Sequence, residues 1–314
     1  MKLSVIDSHC DTAYELFLRG ENIQNNTCHI SLDGFSAYDR KAQFFAIWSD
    51  RRYSDDECFE RFLKAADNFR SDVQRHSDEI SLASDADGFA TAWESGKLAA
   101  ILAVEDARLL GKDLSRLDVL KAYGVKYLTL TWSGDSCIGG AHDTDAGLSD
   151  FGRRVVERCF ELSIIPDVSH GSEALTDEVI SLAYQYKKPI IASHSNSYFS
   201  YPHSRNLRDG HFADIKTLGG LVGVSLCPHH LGNAASRAIT VLDVIKHIDR
   251  YMELGGEDTV GLGCDLDGTD LPEGFDGVSN LYLIADELAK NGYSDRLINK
   301  IFWQNHYNFL LKSM

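Results

Sequence analysis

The sequence is poor in positive charge and has no long apolar run. Its 314 residues include 31 Lys and Arg against 47 Asp and Glu, which gives a formal net charge of −16. No basic tract interrupts this acidity, so binding to nucleic acid or to an anionic membrane is disfavoured. No apolar run approaches the ~20 residues of a membrane-spanning helix. The chain reaches Asp7 after a single Lys, which does not match a signal peptide.

The cysteines also lack a pattern. The seven Cys are scattered, odd in number and without a CxxC pair, so neither a disulfide framework nor a cysteine zinc site is expected. Without a leader or a membrane span, the chain is predicted to be a cytoplasmic protein with reduced thiols.

Short apolar runs alternate with helical patterns along the whole chain. Eight such runs predict eight strands, and eight strands close a (β/α)8 barrel of the TIM type. Apolar residues at helical spacing lie between them, and no repeat or flexible linker divides the chain. The prediction is therefore one α/β barrel domain over residues 1–314. The predicted strands are 3–7, 43–48, 98–104, 126–131, 163–168, 189–193, 220–226 and 259–264, and the predicted helices include 57–74, 151–162, 173–186, 241–252, 280–290 and 295–311.

The first apolar run ends in a His and an Asp two positions apart. Residues i and i+2 of an extended strand point the same way, so His9 and Asp11 can offer an imidazole and a carboxylate to one point. One such pair is weak evidence, because a His at a strand end is more often a packing residue. The same kind of position recurs, however, at Glu105, His170 and His194.

The strand ends of a closed barrel meet at one mouth, so these five residues are expected to converge. Their imidazoles and carboxylates suit two divalent ions of the zinc type, with Glu105 able to bridge them. Two such ions can lower the pKa of a shared water and polarise a carbonyl, and hydrolysis is the natural use.

Two further residues have separate predicted roles. Asp265 follows the eighth predicted strand, where a carboxylate can move a proton from the attacking water to a leaving amine. Arg205 is a fixed cation suited to a substrate carboxylate or carbonyl oxygen, although Arg208 competes for this role. The segment Asp265-Leu266-Asp267-Gly268 could instead form a turn or a loop cation site, but Thr269 breaks the calcium-loop pattern.

Several segments together resemble the membrane (renal) dipeptidase family of binuclear zinc peptidases. They occur in the order found in that family and cover nearly the whole chain. The matching segments include Asp7-Ser8-His9-Cys10-Asp11, Val104-Glu105, Leu128-Thr129-Leu130-Thr131, Phe151-Gly152-Arg153-Arg154, Asp167-Val168-Ser169-His170, Ser193-His194-Ser195, Arg205-Asn206 and Gly263-Cys264-Asp265-Leu266-Asp267-Gly268.

The resemblance implies a (β/α)8 enzyme with two Zn²⁺ ions that hydrolyses dipeptides, often with a D-residue at the C-terminal position. It implies one zinc on His9 and Asp11 and the other on His170 and His194. Glu105 would bridge the ions, Arg205 would bind substrate, and Asp265 would be the catalytic acid and base. The predicted partner is thus a dipeptide, and the oligomeric state stays open, a homodimer included.

One position departs from the animal members of that family. They have a substrate-contacting His where this chain has Trp132, whose indole donates a hydrogen bond but carries no charge. Trp132 is therefore a candidate substrate-binding residue, and His142 in the following loop is a candidate substitute for the missing His.

Two alternatives to a dipeptidase stay open. One is another amidohydrolase activity, such as a deaminase or a phosphoesterase, although those enzymes commonly begin with HxH and Asp11 stands at the third position here. The other is a metal-retaining dipeptide-binding protein with little turnover, which only Trp132 suggests.

Overall fold

The computed structural model describes residues 2–314. Nine strands and twelve α-helices alternate along most of this range. The strands are Val5–Cys10 (β1), Lys41–Trp48 (β2), Ile80–Leu82 (β3), Leu98–Glu105 (β4), Tyr127–Thr129 (β5), Ile165–Asp167 (β6), Ile191–Ala192 (β7), Leu221–Val224 (β8) and Val260–Leu262 (β9). The helices are Thr12–Arg19 (α1), Asp55–Arg75 (α2), Ala86–Ser95 (α3), Arg116–Ala122 (α4), Asp150–Leu162 (α5), Glu173–Tyr186 (α6), Asp209–Thr217 (α7), Pro228–Leu231 (α8), Val241–Glu253 (α9), Tyr282–Lys290 (α10), Asp295–Asn299 (α11) and Asn305–Ser313 (α12).

Eight of the strands form a closed parallel barrel, as the apolar runs predicted. The order β2-β1-β9-β8-β7-β6-β5-β4 closes on itself because β2 pairs with β4 along its whole length, from Lys41 opposite Leu98 to Trp48 opposite Glu105. The ninth strand, β3, was not predicted. It pairs only with the first half of β4, outside the barrel, from Ile80 opposite Leu98.

Strand β4 contributes to two apolar cores, one between the barrel and the helices and one inside the barrel. All eight of its residues are buried, as is usual where helices cover a parallel sheet. Leu98, Leu102 and Val104 pack outward against the helices, whereas Ala99 and Ile101 belong to the inner cluster of apolar side chains. Because side chains alternate along a strand, the inward-facing row of Ala99 and Ile101 continues to Glu105, at the carboxyl end of the barrel interior.

The amino end of the barrel is covered by the last helix. Phe309 and Leu310 of α12 are buried and belong to the same inner cluster as Ile6 and Ile101. A π-helical turn over Lys300–Gln304 joins α11 to α12. The carboxyl end of the barrel is therefore the expected location of a functional site, because the loops that follow the strands meet there. None of the helices within residues 2–314 combines the length and apolar character needed to cross a bilayer.

Candidate active site

Polar side chains follow five barrel strands at the carboxyl end. They come together although they are far apart in the sequence. Within this group are His9 of β1, Asp11 after β1, Glu105 at the end of β4, His170 after β6, His194 after β7 and Asp265 after β9. The predicted convergence of these residues is thus what the structure contains.

The first pair reaches the site differently from the strand alternation that we predicted. The register of β1 against β2 shifts between Asp7 and Cys10, which is a bulge or irregularity that turns a side chain relative to the regular pleat. Asp11 lies beyond the strand, as the N-cap residue of α1 with φ −97° and ψ 7°. A strand irregularity and a helix start, not two extended residues, therefore bring His9 and Asp11 to one place.

The carboxylate of Glu105 lies at the centre of the group. Its Oε2 is 3.8 Å from Nε2 of His9, while its Oε1 is 2.9 Å from Nε2 of His170 and 3.4 Å from Nε2 of His194. The two oxygens thus face different histidines. This is the arrangement that a carboxylate bridging two cations requires.

A second set of ligand atoms surrounds His9. Its Nε2 lies 3.8 Å from Oδ2 of Asp11 and 3.7 Å from Oδ1 of Asp265. The candidate ligand atoms of these three residues all lie within 4.8 Å of one another, and so do those of His9, Glu105 and His194. Two neighbouring clusters therefore share His9.

The backbone is left-handed at two of these positions. His170 has φ 67° and Asp265 has φ 63°, values that non-glycine residues rarely adopt. Such conformations cost about 1–3 kcal/mol each and concentrate at functional sites. At both positions the turn directs a side chain from just beyond a strand into the mouth of the barrel.

Burial shapes the protonation of the carboxylates. It raises the pKa of Glu105 well above its usual value, and the nearby charge of Asp11 raises it further. Burial also raises the pKa of Asp265 to about 7. Burial alone would lower the pKa of His9, but Glu105, Asp11 and Asp265 together raise it to about 10. The cluster therefore attracts positive charge.

The other two imidazoles are held neutral. Burial holds the pKa of His170 and His194 well below the usual value, and the cationic Arg205 acts in the same direction on both. A neutral imidazole is the form that binds a metal ion.

The donor atoms fit a divalent metal centre. Within residues 2–314, Nε2 of His9 and Oδ1 of Asp11 are buried without a hydrogen-bond partner. Unpartnered buried polar atoms are costly, and a cation beside them would satisfy both. Imidazole nitrogens together with carboxylate oxygens are the donors preferred by zinc and similar ions. We conclude that the residues present fit the metals that the resemblance implied.

The glycine that ends the Asp265-Leu266-Asp267-Gly268 segment makes room for two of the carboxylates. A β-carbon built at position 268 would overlap Oδ2 of Asp11 and Oδ1 of Asp265. In the sequence alone, nothing marks position 268 as one that must be glycine. The requirement becomes visible only once β1 and β9 are adjacent.

The two competing arginines have different surroundings. Arg205 is buried, and its guanidinium donates to the carbonyl oxygen of His194 at 3.1 Å and to Oγ of Ser195 at 3.2 Å. Its Nε is buried without a partner, and the two bonds above use only two of the five N–H donors of the guanidinium. Arg208 instead forms an ion pair with Glu173 on the surface.

Trp132 supports the site through its backbone. Nδ1 of His170 donates to the carbonyl oxygen of Trp132 at 2.9 Å, and the indole ring packs beside Trp48 with centroids 5.0 Å apart. His142 lies on the same side, where its backbone N–H donates to the carbonyl oxygen of His170 at 2.7 Å. The ring of His142 is 6.0 Å from that of His170, and its Nδ1 lies 3.0 Å from Oγ of Ser204.

Comparison with known proteins gives a match over the full barrel. The model of the membrane dipeptidase family (peptidase family M19) matches residues 1–311. Among solved structures, the chain is similar to dipeptidase AC, a metallopeptidase of family M19. The two share 26% sequence identity with a TM-score of 0.92, covering 100% of this chain and 99% of the other.

Two further structures are similar. A metallopeptidase from Rhodobacter sphaeroides, liganded with a phosphinate mimic of the dipeptide L-Ala-D-Ala, is 25% identical with a TM-score of 0.91, covering 100% and 99% of the two chains. The probable dipeptidase PvdM from Pseudomonas aeruginosa is 21% identical with a TM-score of 0.89, covering 99% and 95%, and supports the fold alone.

Proposed function

As a member of the membrane dipeptidase family (peptidase family M19), the chain is a metallopeptidase, and we propose that it hydrolyses dipeptides at a binuclear zinc centre. In this proposal His9 and Asp11 hold one ion, His170 and His194 hold the other, and Glu105 bridges the two. Asp265 is the catalytic acid and base, and Arg205 binds the substrate.

One observation carries the proposal of two ions. The oxygens of Glu105 are divided between His9 on one side and His170 with His194 on the other. A single cation would need only one of these groups. The further carboxylate of Asp11, beside His9 alone, gives each side of Glu105 its own ligands.

When bound, two zinc ions supply Lewis acidity, which lowers the pKa of a water toward neutrality and polarises a carbonyl oxygen. The chain supplies the proton transfer. Asp265 is buried at the mouth, with Oδ1 3.7 Å from Nε2 of His9. From this position its carboxylate takes a proton from the attacking water and delivers it to the nitrogen of the leaving amine.

Substrate orientation comes from Arg205. The guanidinium is buried and fixed by two hydrogen bonds, so little side-chain entropy is lost when it meets an anionic group. We assign the remaining N–H donors of this guanidinium to the substrate, where they meet the carboxylate of a short, free-ended peptide. Arg205 would therefore favour dipeptides over longer or blocked substrates.

The relative bound to the L-Ala-D-Ala mimic supports acceptance of a C-terminal D-residue here. Trp132 and His142 lie on the His170 side of the site. We propose that they line the substrate pocket, with the indole as an apolar wall and the imidazole as a neutral hydrogen-bonding group.

The direct test is amino-acid release from a panel of L,L and L,D dipeptides by the zinc-loaded protein, with ester and nucleoside substrates assayed in parallel. Release from dipeptides alone is expected. Preferred turnover of an ester or a nucleoside would support another amidohydrolase activity. Tight dipeptide binding without release would support a binding protein.

A further inference from the structure

Two of the proposed ligand histidines also form hydrogen bonds through Nδ1, with side chains inside the barrel. Nδ1 of His9 lies 2.7 Å from the hydroxyl of Tyr127, a fully buried residue of β5. That hydroxyl donates its single proton to the carbonyl oxygen of Ser8 at 3.0 Å. It can therefore only accept from His9, so Nδ1 of His9 carries a proton, and in the neutral, metal-binding form of the ring the lone pair lies on Nε2.

Nδ1 of His194 also donates a hydrogen bond, but its acceptor is a serine hydroxyl. Its Nδ1 lies 2.7 Å from Oγ of Ser193, which donates to Oδ2 of Asp167 at 2.6 Å. The carboxylate also accepts from Oγ1 of Thr129 and from the backbone N–H groups of Ser169 and Ser193. A carboxylate surrounded by donors takes the proton of Ser193, which leaves Oγ to accept from His194.

Packing alone does not explain why residue 127 is a tyrosine with a buried hydroxyl. Its ring packs on Phe44 with centroids 5.4 Å apart, inside the apolar inner cluster, where Phe would fill the same space. A hydroxyl buried among apolar side chains is unfavourable unless it is hydrogen-bonded. Its two partners are the backbone and the ring of the same strand, β1, and one of them is His9.

We propose that Tyr127 and Ser193 are positioning residues that select the tautomer of His9 and His194, and thereby set the affinity of the centre for divalent ions. Each keeps Nδ1 protonated, so Nε2 faces the ligand cluster as an acceptor. The inference rests on the proposed metal centre. Partners of this kind orient the ring and raise ligand basicity, and their loss typically weakens metal binding by about 10–100-fold.

The test compares Tyr127→Phe and Ser193→Ala with Tyr38→Phe in the zinc-loaded full chain. Tyr38 is a matched control, since it is also buried and its hydroxyl donates to the carbonyl oxygen of Val278 at 2.7 Å, in a different part of the protein. Zinc affinity is measured by chelator competition. The histidine tautomers are read from long-range ¹H–¹⁵N correlation spectra, a signal that simple loss of packing does not change.

We expect each test variant to bind one of the two ions about 10–100-fold more weakly, with altered ¹⁵N shifts for the affected histidine, while Tyr38→Phe matches the wild type. Should Ser193→Ala fail to fold, because Ser193 also supports Asp167, Tyr127→Phe alone decides. Wild-type affinity and unchanged tautomers in Tyr127→Phe would overturn the inference only. A wild-type chain that binds no zinc would overturn the proposed function as well.

Discussion

The backbone of Gly268 packs so closely against the carboxylate of Asp11 that a β-carbon at position 268 would overlap Oδ2 of Asp11. The same β-carbon would overlap Oδ1 of Asp265. We therefore expect Gly268→Ala to displace both carboxylates. The shift of Asp11 should lower zinc content, and the shift of Asp265 should lower kcat by about tenfold or more.

Gly210→Ala is the matched control for this change. Gly210 lies in α7, and nothing lies within 4 Å of the β-carbon that Ala would add. This variant should keep full zinc content and gain about 0.5–1 kcal/mol of stability from helix propensity. Equal zinc content in both variants, measured by mass spectrometry, would contradict the packing argument.

Asp265 should be required for turnover rather than for folding. Asp265→Asn keeps the size of the side chain but cannot carry the proton, so kcat should fall by about 10²–10⁴-fold. Zinc binding by the five proposed ligands should persist. Steady-state kinetics on one dipeptide, with Asp270→Asn in the same loop as the exposed control, measure this. Near-normal kcat in Asp265→Asn would remove the assigned role.

The guanidinium of Arg205 should recognise the free carboxylate of the substrate. In Arg205→Lys the charge remains but the fixed fork is lost, so kcat/KM for a free dipeptide should fall about tenfold or more. For the same dipeptide with an amidated C-terminus, the variant and the wild type should differ much less. Arg208→Lys, which alters a surface ion pair with Glu173 and the stacking of the guanidinium on Tyr198, should leave both values unchanged. A similar loss on both substrates would argue against carboxylate recognition.

His306 should make stability depend on pH. Burial lowers its pKa to about 3, and neither ring nitrogen has a hydrogen-bond partner. The folded pKa lies below the unfolded value of ~6.5, so the unfolded chain binds the proton first and stability falls as pH drops from ~6.5 toward 3. Between pH 7 and pH 5 this single group should cost about 2 kcal/mol.

Urea unfolding of the wild type and of His306→Gln at both pH values tests this. The wild type should lose about 2 kcal/mol more than the variant on acidification. Loss of zinc at low pH affects both proteins alike and cancels in the difference. Equal losses would show that His306 titrates normally in the fold.

Much of the barrel was readable from the sequence because its strands are buried on both faces. Continuous apolar runs such as 98–104 indicate such strands. A polar residue that follows the run, such as Glu105, lies at the mouth of the barrel. Strand β3 was missed because Ser81 interrupts its apolar residues and Glu79 and Ser84 flank it closely, so no continuous apolar run is visible. The irregularity of β1 beyond Asp7 was missed because it depends on pairing with β2.

The candidate ligands were accessible for the same reason, but their surroundings were not. Tyr127 looks like an ordinary apolar residue of a strand, and its contact with His9 joins residues 118 positions apart. Gly268 meets Asp11 only because β9 lies beside β1. Such contacts follow from barrel closure and strand register, which local pattern does not encode.

The central claim, a two-metal centre, is tested most directly by counting ions per chain by mass spectrometry in the wild type and in His170→Asn. Asn suits the left-handed backbone at position 170, where φ is 67°, and His76→Asn at the end of α2 serves as the control. The account predicts about two zinc ions in the wild type and in His76→Asn, and about one in His170→Asn. One ion or fewer in the fully loaded wild type, or an unchanged count in His170→Asn, would contradict it.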